Sequence, residues 1–212
     1  MQSYFNLDVK QFRKLIRQCN GKTITLDTET TGLRWWSSHL VTVGFVCIDA
    51  GIEGCIDYGK PVAEGHEEDE DLLLFEKQVR EVVNTELKAG TNVVMHNAKF
   101  DMGMMGVPHE DCNGWNIFDT AVMVHLWDSR LMKGLEKAEQ QLLGTNSKRA
   151  HIEQAPTNVK IRRKVWRWES NVRQDYCLND VRVTLQLAQV LKPMLAKMDL
   201  TKLFLKDMQY LK

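Results

Sequence analysis

Residues 26–30 read Leu-Asp-Thr-Glu-Thr and close the apolar stretch Thr23-Ile24-Thr25. In a strand, side chains two positions apart point to the same face. Asp27 and Glu29 would therefore crowd one another just where a strand ends. Like charges that close are unfavourable unless something positive sits between them. The plain alternative is a solvated strand end leading into the turn Thr30-Thr31-Gly32. Asp-x-Glu is a common triplet, so the rest of the chain has to decide.

Working outward, the stretch 22–28 is the first of three strand candidates. The others are 40–49, rich in β-branched and aromatic residues, and 51–58, with a turn at Asp49-Ala50-Gly51. Upstream, Phe12, Leu15, Ile16 and Cys19 recur at helical spacing and predict a helix over 8–19, stopped by Asn20-Gly21. Downstream, the acidic run 64–71 reads as a solvated loop and a helix start. Leu72, Phe75, Val79, Val82 and Val83 carry that helix to about residue 88. Asn92 to His96 reads as a short buried strand, with a helix beginning near Ala98. Further helices are expected over 119–127, 134–143 and 170–192, the last interrupted by Pro193, and over 199–211. Residues 144–168 are polar, basic and irregular. Three close strands form an antiparallel meander, and a helix then crosses to a strand that can lie parallel. The expected class is α/β, a mixed β-sheet flanked by α-helices.

The 212 residues suit one domain, or one domain with a small appendage. The 28 basic and 28 acidic residues cancel, which argues against a strongly basic, non-specific nucleic-acid binder. It leaves room for an enzyme that binds nucleic acid through a local patch and its metals. Five cysteines without a C-x-x-C pair imply reduced thiols and a reducing compartment. His109-Glu110-Asp111-Cys112 lacks a second ligand cluster and reads as a polar loop. No stretch has signal-peptide or membrane-spanning character, so an intracellular protein with no membrane partner is expected.

Two more acidic positions complete a set. His96-Asn97-Ala98-Lys99-Phe100-Asp101 places Asp101 on the first turn of a helix after the buried strand. Tyr176-Cys177-Leu178-Asn179-Asp180 places Tyr176 and Asp180 four apart, on one helical face. Singly, each has a structural explanation. Together, Asp27, Glu29, Asp101 and Asp180 are four carboxylates without a matching basic cluster in the same motifs. Hard divalent cations with oxygen ligands supply the missing counter-charge. Two such metals about 4 Å apart would clamp the attacking and leaving oxygens of a phosphoryl displacement.

LDTETTGL, HNAKFD and YCLNDV, in that order, resemble the three motifs of the DnaQ-like 3′–5′ exonucleases, in their tyrosine (DEDDy) branch. Asp27 and Asp101 lie 74 residues apart, and Asp101 and Asp180 79. The segment IFDTAVMVHLWD, followed by a polar stretch and GLEKAEQQLLG, is similar to the proofreading exonuclease domain of family A (polymerase I-like) DNA polymerases. The resemblance implies a ribonuclease H-like fold over 1–198. It also implies two divalent ions, Mg2+ or Mn2+, held by Asp27, Glu29, Asp101 and Asp180. Asp27 would bridge both ions, Glu29 and Asp180 would complete the site of the attacking water, and Asp101 would serve the second ion. An isolated phenol titrates near pH 10, so Tyr176 would aim the water rather than act as its base. The product would be a 5′-mononucleotide. The implied partner is a single-stranded or frayed DNA 3′ end, with a DNA polymerase subunit as a second candidate. Residues 199–212 resemble the helix leading into a polymerase domain, so the chain is either free-standing or an excised domain.

Candidate substrate contacts surround these motifs. Thr28 lies between two of the carboxylates. Leu33 stands where similar exonucleases place an apolar wedge, although a packed loop leucine explains it equally well. Asn97 and Phe100 flank Asp101 and would touch the terminal nucleotide by polar contact and stacking, with a core position as an equal alternative for Phe100. Arg162, Arg163, Lys164 and Arg167, interleaved with Trp166 and Trp168, form a basic-aromatic stretch, with a solvated surface strand as its rival. Two other functions fit the same chain: an exoribonuclease of the same fold, and a non-catalytic nucleic-acid-binding module. The second would have no need of four intact carboxylates.

Overall fold

The Asp8 carboxylate accepts from the Gln11 amide at 2.7 Å, and the Gln11 side chain accepts from the Asp8 amide at 3.0 Å. That reciprocal cap starts helix α1, Val9–Gln18, whose Phe12, Leu15 and Ile16 are buried. The computed structural model describes residues 1–63, 65, 69–107, 112–147 and 164–209. Six strands form one sheet: β1 (Gln2–Leu7), β2 (Thr23–Thr30), β3 (Leu40–Cys47), β4 (Ile52–Asp57), β5 (Asn92–Met95) and β6 (Asn116–Asp119). The spatial order is β1-β4-β3-β2-β5-β6. β4, β3 and β2 are the antiparallel meander, while β5 and β6 run parallel to β2 on one side and β1 parallel to β4 on the other. Six further helices flank the sheet: α2 (Glu70–Glu86), α3 (Ala98–Met104), α4 (Thr120–Trp127), α5 (Leu135–Leu142), α6 (Ser170–Lys197) and α7 (Thr201–Gln209). This is the α/β, ribonuclease H-like arrangement.

Two strands escape the sequence pattern, and both are sheet edges. β1 buries only Leu7, so it lacks the alternation that marks a half-buried strand. Its place is set by pairing with β4, from Gln2 opposite Ile52 to Leu7 opposite Ile56. β6, Asn116–Asp119, has only Ile117 and Phe118 as apolar residues and runs directly into the helix that starts at Thr120.

Pro193 does not interrupt α6, which continues to Lys197. A proline in a helix interior costs about 3 kcal/mol through a lost hydrogen bond and a ring clash. Here it sits on the solvent side, as does Gln189, whose carbonyl loses its usual donor. Leu187, Leu191 and Leu195 are buried on the opposite face and hold the helix across the defect. Burying each leucine contributes about 1.5–3 kcal/mol, so together they outweigh it.

α6 lies unusually close to the sheet at Gly44, which pairs with Asp27 across β2 and β3. A Cβ at residue 44 would stand 2.8 Å from both Cys177 Sγ and Val181 Cγ2. The missing side chain is what lets the helix settle beside Asp27. Among the described residues, no helix is long and apolar enough to cross a membrane, and all five cysteines are buried free thiols.

Candidate active site

Asp27 and Glu29 occupy the end of β2, opposite Gly44 and Thr42 of β3. The alternation of the strand sends Thr28 the other way. Its hydroxyl donates to Asp101 Oδ1 at 2.6 Å, fastening the first turn of α3 to β2 between the two carboxylates. On the α6 side, Cys177 Sγ lies 3.8 Å from the Asp27 carbonyl and 3.9 Å from Asp27 Oδ2. Tyr176 precedes that contact and Asp180 follows it by less than one helical turn, and both are buried. Three separate elements thus bring the motif residues to one end of the sheet.

A ligand atom from each of Asp27, Glu29 and Cys177 lies within 4.8 Å of the others, a spacing one cation can bridge. The carboxylates fit a divalent metal well. The thiol does not contribute to that fit, because burial, with Asp27 and Glu29 nearby, pushes its pKa well above the ordinary value. It stays protonated and acts as a weak donor to Asp27.

Asp101 is almost fully buried, and burial raises its pKa from 3.8 to about 7. The Thr28 hydroxyl opposes that shift, and the neighbouring Asp119 charge adds to it. A carboxylate removed from water in this way favours either a proton or a cation. Its folded pKa is raised, so between about pH 4 and pH 7 the native protein keeps a proton that the unfolded chain has released. In chelator, this group's stabilising contribution is therefore full at low pH and lost as pH rises through about 7, by a few kcal/mol at most. Urea unfolding at pH 5 to 8 should show this decline in the native protein and a flatter profile in Asp101→Asn. Added Mn2+ should shrink the difference at pH 8. Identical pH profiles for the two proteins would contradict it.

Asp119 is the positioning residue that the sequence shows only by half. It caps α4 by accepting from the Ala121 amide at 2.8 Å, as an Asp before a helix is expected to do. The same carboxylate also accepts from the Asn97 amide at 3.0 Å and the Ala98 amide at 2.8 Å. It therefore fixes the start of α3 and, through it, Asp101. No local signal links residue 119 to residues 97 and 98. Arg173 is a second such residue. Fully buried, it pairs with Asp57 at 2.7 Å and donates to the carbonyls of Trp166 at 2.9 Å and Trp168 at 3.0 Å.

A cleft of about 490 Å³ opens beside Glu29, lined by Thr28, Leu33, Phe100, Lys164, Val165 and Trp166 among others. Of the predicted substrate contacts, it gathers Thr28, Leu33 and Phe100. Leu33 is 92% exposed, so it is not a packed loop leucine. Asn97 is exposed and holds α3 by its backbone in a left-handed conformation; its side chain is not part of the lining. Arg167 ends the short turn Val165–Arg167, whose first two residues line the cleft, and is not itself among the lining residues. Arg162, Arg163 and residues 109–111 lie outside the described residues. Trp168 is buried edge-on against Tyr176, ring centres 5.4 Å apart, so it offers no face to a base.

Fold and site together define a DnaQ-like nuclease domain of the ribonuclease H-like class. The profile of the 3′–5′ exonuclease family matches residues 7–196, and the chain belongs to that family. Exonucleases of this family depend on divalent metal. No curated protein matches the chain. Among solved structures, it is similar to NrnC of Brucella melitensis with bound Mg2+: 18% identity, TM-score 0.60, covering 100% of this chain and 90% of that one. The catalytic core of RRP6 from Trypanosoma brucei gives 14% identity and TM-score 0.63, over 99% of this chain and 52% of that one. The POL domain of Pol1 from M. smegmatis gives 14% and 0.57, over 95% and 29%. At these identities the likeness establishes the fold.

Proposed function

We propose that the protein removes 5′-mononucleotides from the 3′ ends of DNA, in the manner of a polymerase proofreading domain of the DEDDy type. The observation that carries this is the junction at β2. Thr28 ties Asp101 to the strand, Cys177 ties the Tyr176–Asp180 turn to Asp27, and a one-nucleotide cleft opens at Glu29. Its volume falls in the range of small-ligand pockets, about 300–1,000 Å³, which suits a single unstacked nucleotide rather than a duplex.

Asp27, Glu29 and Asp180 would hold one Mg2+ or Mn2+, and Asp27 and Asp101 the other. When bound, the ions favour ionisation of water and offset charge on the leaving oxygen. The chain's own residues do the rest. Tyr176, packed edge-on against Trp168, would aim its hydroxyl at the water. Leu33 and Phe100 confine the terminal base, and Thr28 fixes Asp101. Water oxygen bonds to phosphorus as the bond from phosphorus to the 3′ oxygen breaks. The 5′-nucleotide leaves, and the shortened strand keeps a 3′ hydroxyl.

A paired end must first melt, so single-stranded or mismatched 3′ ends are the preferred substrates. A second reading, exoribonuclease, is favoured by the neighbours: one similar structure is named RNase D from Trypanosoma brucei. Digestion of 5′-labelled DNA and RNA strands of one sequence, with Mg2+, Mn2+ or chelator, separates the two. The DNA reading expects a shortening ladder from DNA that chelator abolishes. A ladder from RNA alone overturns the choice of DNA, and internal cleavage overturns the exonuclease reading for both.

Tyr176→Phe keeps the ring and loses only the hydroxyl. Single-turnover cleavage is expected to fall about ten- to a thousandfold, the usual cost of one orienting hydrogen bond. Metal affinity, read by titration calorimetry, is expected to stay as in the native protein. A rate equal to the native one across pH would reduce Tyr176 to a packing residue.

A further inference from the structure

The turn that follows the first motif is fastened at its base and across its middle. At its base, the Thr31 amide donates to the His39 carbonyl and the His39 amide to Thr31 Oγ1, both at 2.9 Å. His39 is anchored in turn, its Nδ1 lying 2.9 Å from Glu76 of α2. Within the turn, Thr30 Oγ1 donates to the Gly32 carbonyl at 2.6 Å and the Ser37 amide to the Arg34 carbonyl at 2.9 Å. Trp35 is the keystone. Its indole lies flat enough on α3 that a Cβ at Gly103 would stand 2.7 Å from the ring. Gly103 is two residues from Asp101, so the turn and the helix carrying that carboxylate form one unit.

What this turn shows to solvent is Leu33, Arg34, Trp36 and Ser37. Trp36 is 68% exposed and stands edge-on to Trp35, ring centres 5.8 Å apart at 89°. A tryptophan exposed on a mobile loop would mean little. Here the loop is fastened, and one ring face of Trp36 remains open to solvent beyond its contact with Trp35. Leu33 lines the cleft, and three residues of chain span at most about 11 Å. Trp36 therefore sits within two nucleotides or so of the cleft mouth.

The geometry points to a second stacking site, in which Trp36 and Arg34 hold the bases and phosphate of the single strand immediately upstream of the nucleotide in the cleft. It rests on the exonuclease reading and extends it to strand length. A flat aromatic face accepts any base, and Arg34 meets the backbone as a cation. A chain of zero net charge needs such local contacts, because it exerts little long-range pull on a polyanion.

The test uses the full chain with Ca2+ in place of Mg2+, and 5′-fluorescein single strands of two to eight nucleotides read by anisotropy. The native protein is expected to tighten steeply up to about four or five nucleotides and then level off. Trp36→Ala should weaken binding of the longer strands about five- to a hundredfold, the worth of one stacked base. Trp36→Phe should recover most of that loss. Arg34→Ala should reduce the salt dependence of binding by about one phosphate contact. Because Trp36 is exposed, the variants should fold, and circular dichroism checks it. A loss that is the same at every length, or absent, overturns the stacking site even if the native protein digests 3′ ends. Length-dependent binding lost in Trp36→Ala, with no digestion in Mg2+ or Mn2+, keeps the stacking site and overturns the exonuclease reading. Concentration-dependent dimerisation abolished by Trp36→Ala would assign the face to a second copy and overturn it as well.

Discussion

Asp27→Asn is expected to lower 3′-end hydrolysis at least about a thousandfold while leaving the protein as stable as before, or more so. The two parts of this result have one cause. Asp27 and Glu29 share a strand face, and a ligand atom of each lies within 4.8 Å of the other and of Cys177. In the metal-free protein that arrangement is a repulsion, and an amide relieves it. In the working protein, on the proposed reading, the same carboxylate is what holds the ions, and an amide is a poor replacement for a bridging charge. Single-turnover rates at saturating Mg2+ and Mn2+, with thermal unfolding in chelator, measure both halves. Turnover within tenfold of the native rate would remove Asp27 from the metal site. A large loss of stability would show that its role is structural.

Gly44→Val is expected to cost about 2–4 kcal/mol of stability and, beyond that, about a hundredfold in rate at temperatures where the variant is fully folded. The added Cβ alone would stand 2.8 Å from Cys177 Sγ and Val181 Cγ2, and 3.4 Å from the Cys177 carbonyl. The sulfur and the methyl can move a little, but the carbonyl belongs to the α6 backbone. The helix has to lift away from β3, and it carries Tyr176 and Asp180 with it. A displacement of about 1 Å at reacting groups typically lowers rate a hundredfold. Gly44→Ala should show the same pattern to a smaller degree. Urea unfolding together with cleavage rates per folded molecule gives the two effects separately. A variant that is destabilised yet cleaves normally would mean that α6 yields somewhere other than at the site.

The sequence was most informative where its constraints are local. Asp-x-Glu at a strand end, Asp101 on a first helical turn and the Tyr176–Asp180 pair on one face all depend on spacing along the chain. The three meander strands and the strand at 92–95 followed from apolar, β-branched runs bounded by turns, and the main helices from a period of 3.6. Other features depended on partners far away in sequence. β1 exists because β4 offers an edge, and α6 passes Pro193 because buried leucines on its far side hold it. The same holds within the site. Asp119 reads as the first residue of a helix until its carboxylate is seen holding the amides of Asn97 and Ala98. The need for a glycine at residue 44 shows only when α6 is laid across the strand. Trp168 reads as part of a basic-aromatic surface until it is found buried against Tyr176. The chain by itself determined which groups have chemistry to offer, since charge, spacing and period are carried by neighbouring residues. Which of them face one another, and which are merely held in place, was decided by the tertiary structure, because burial and hydrogen bonding are shared between segments that the sequence keeps apart.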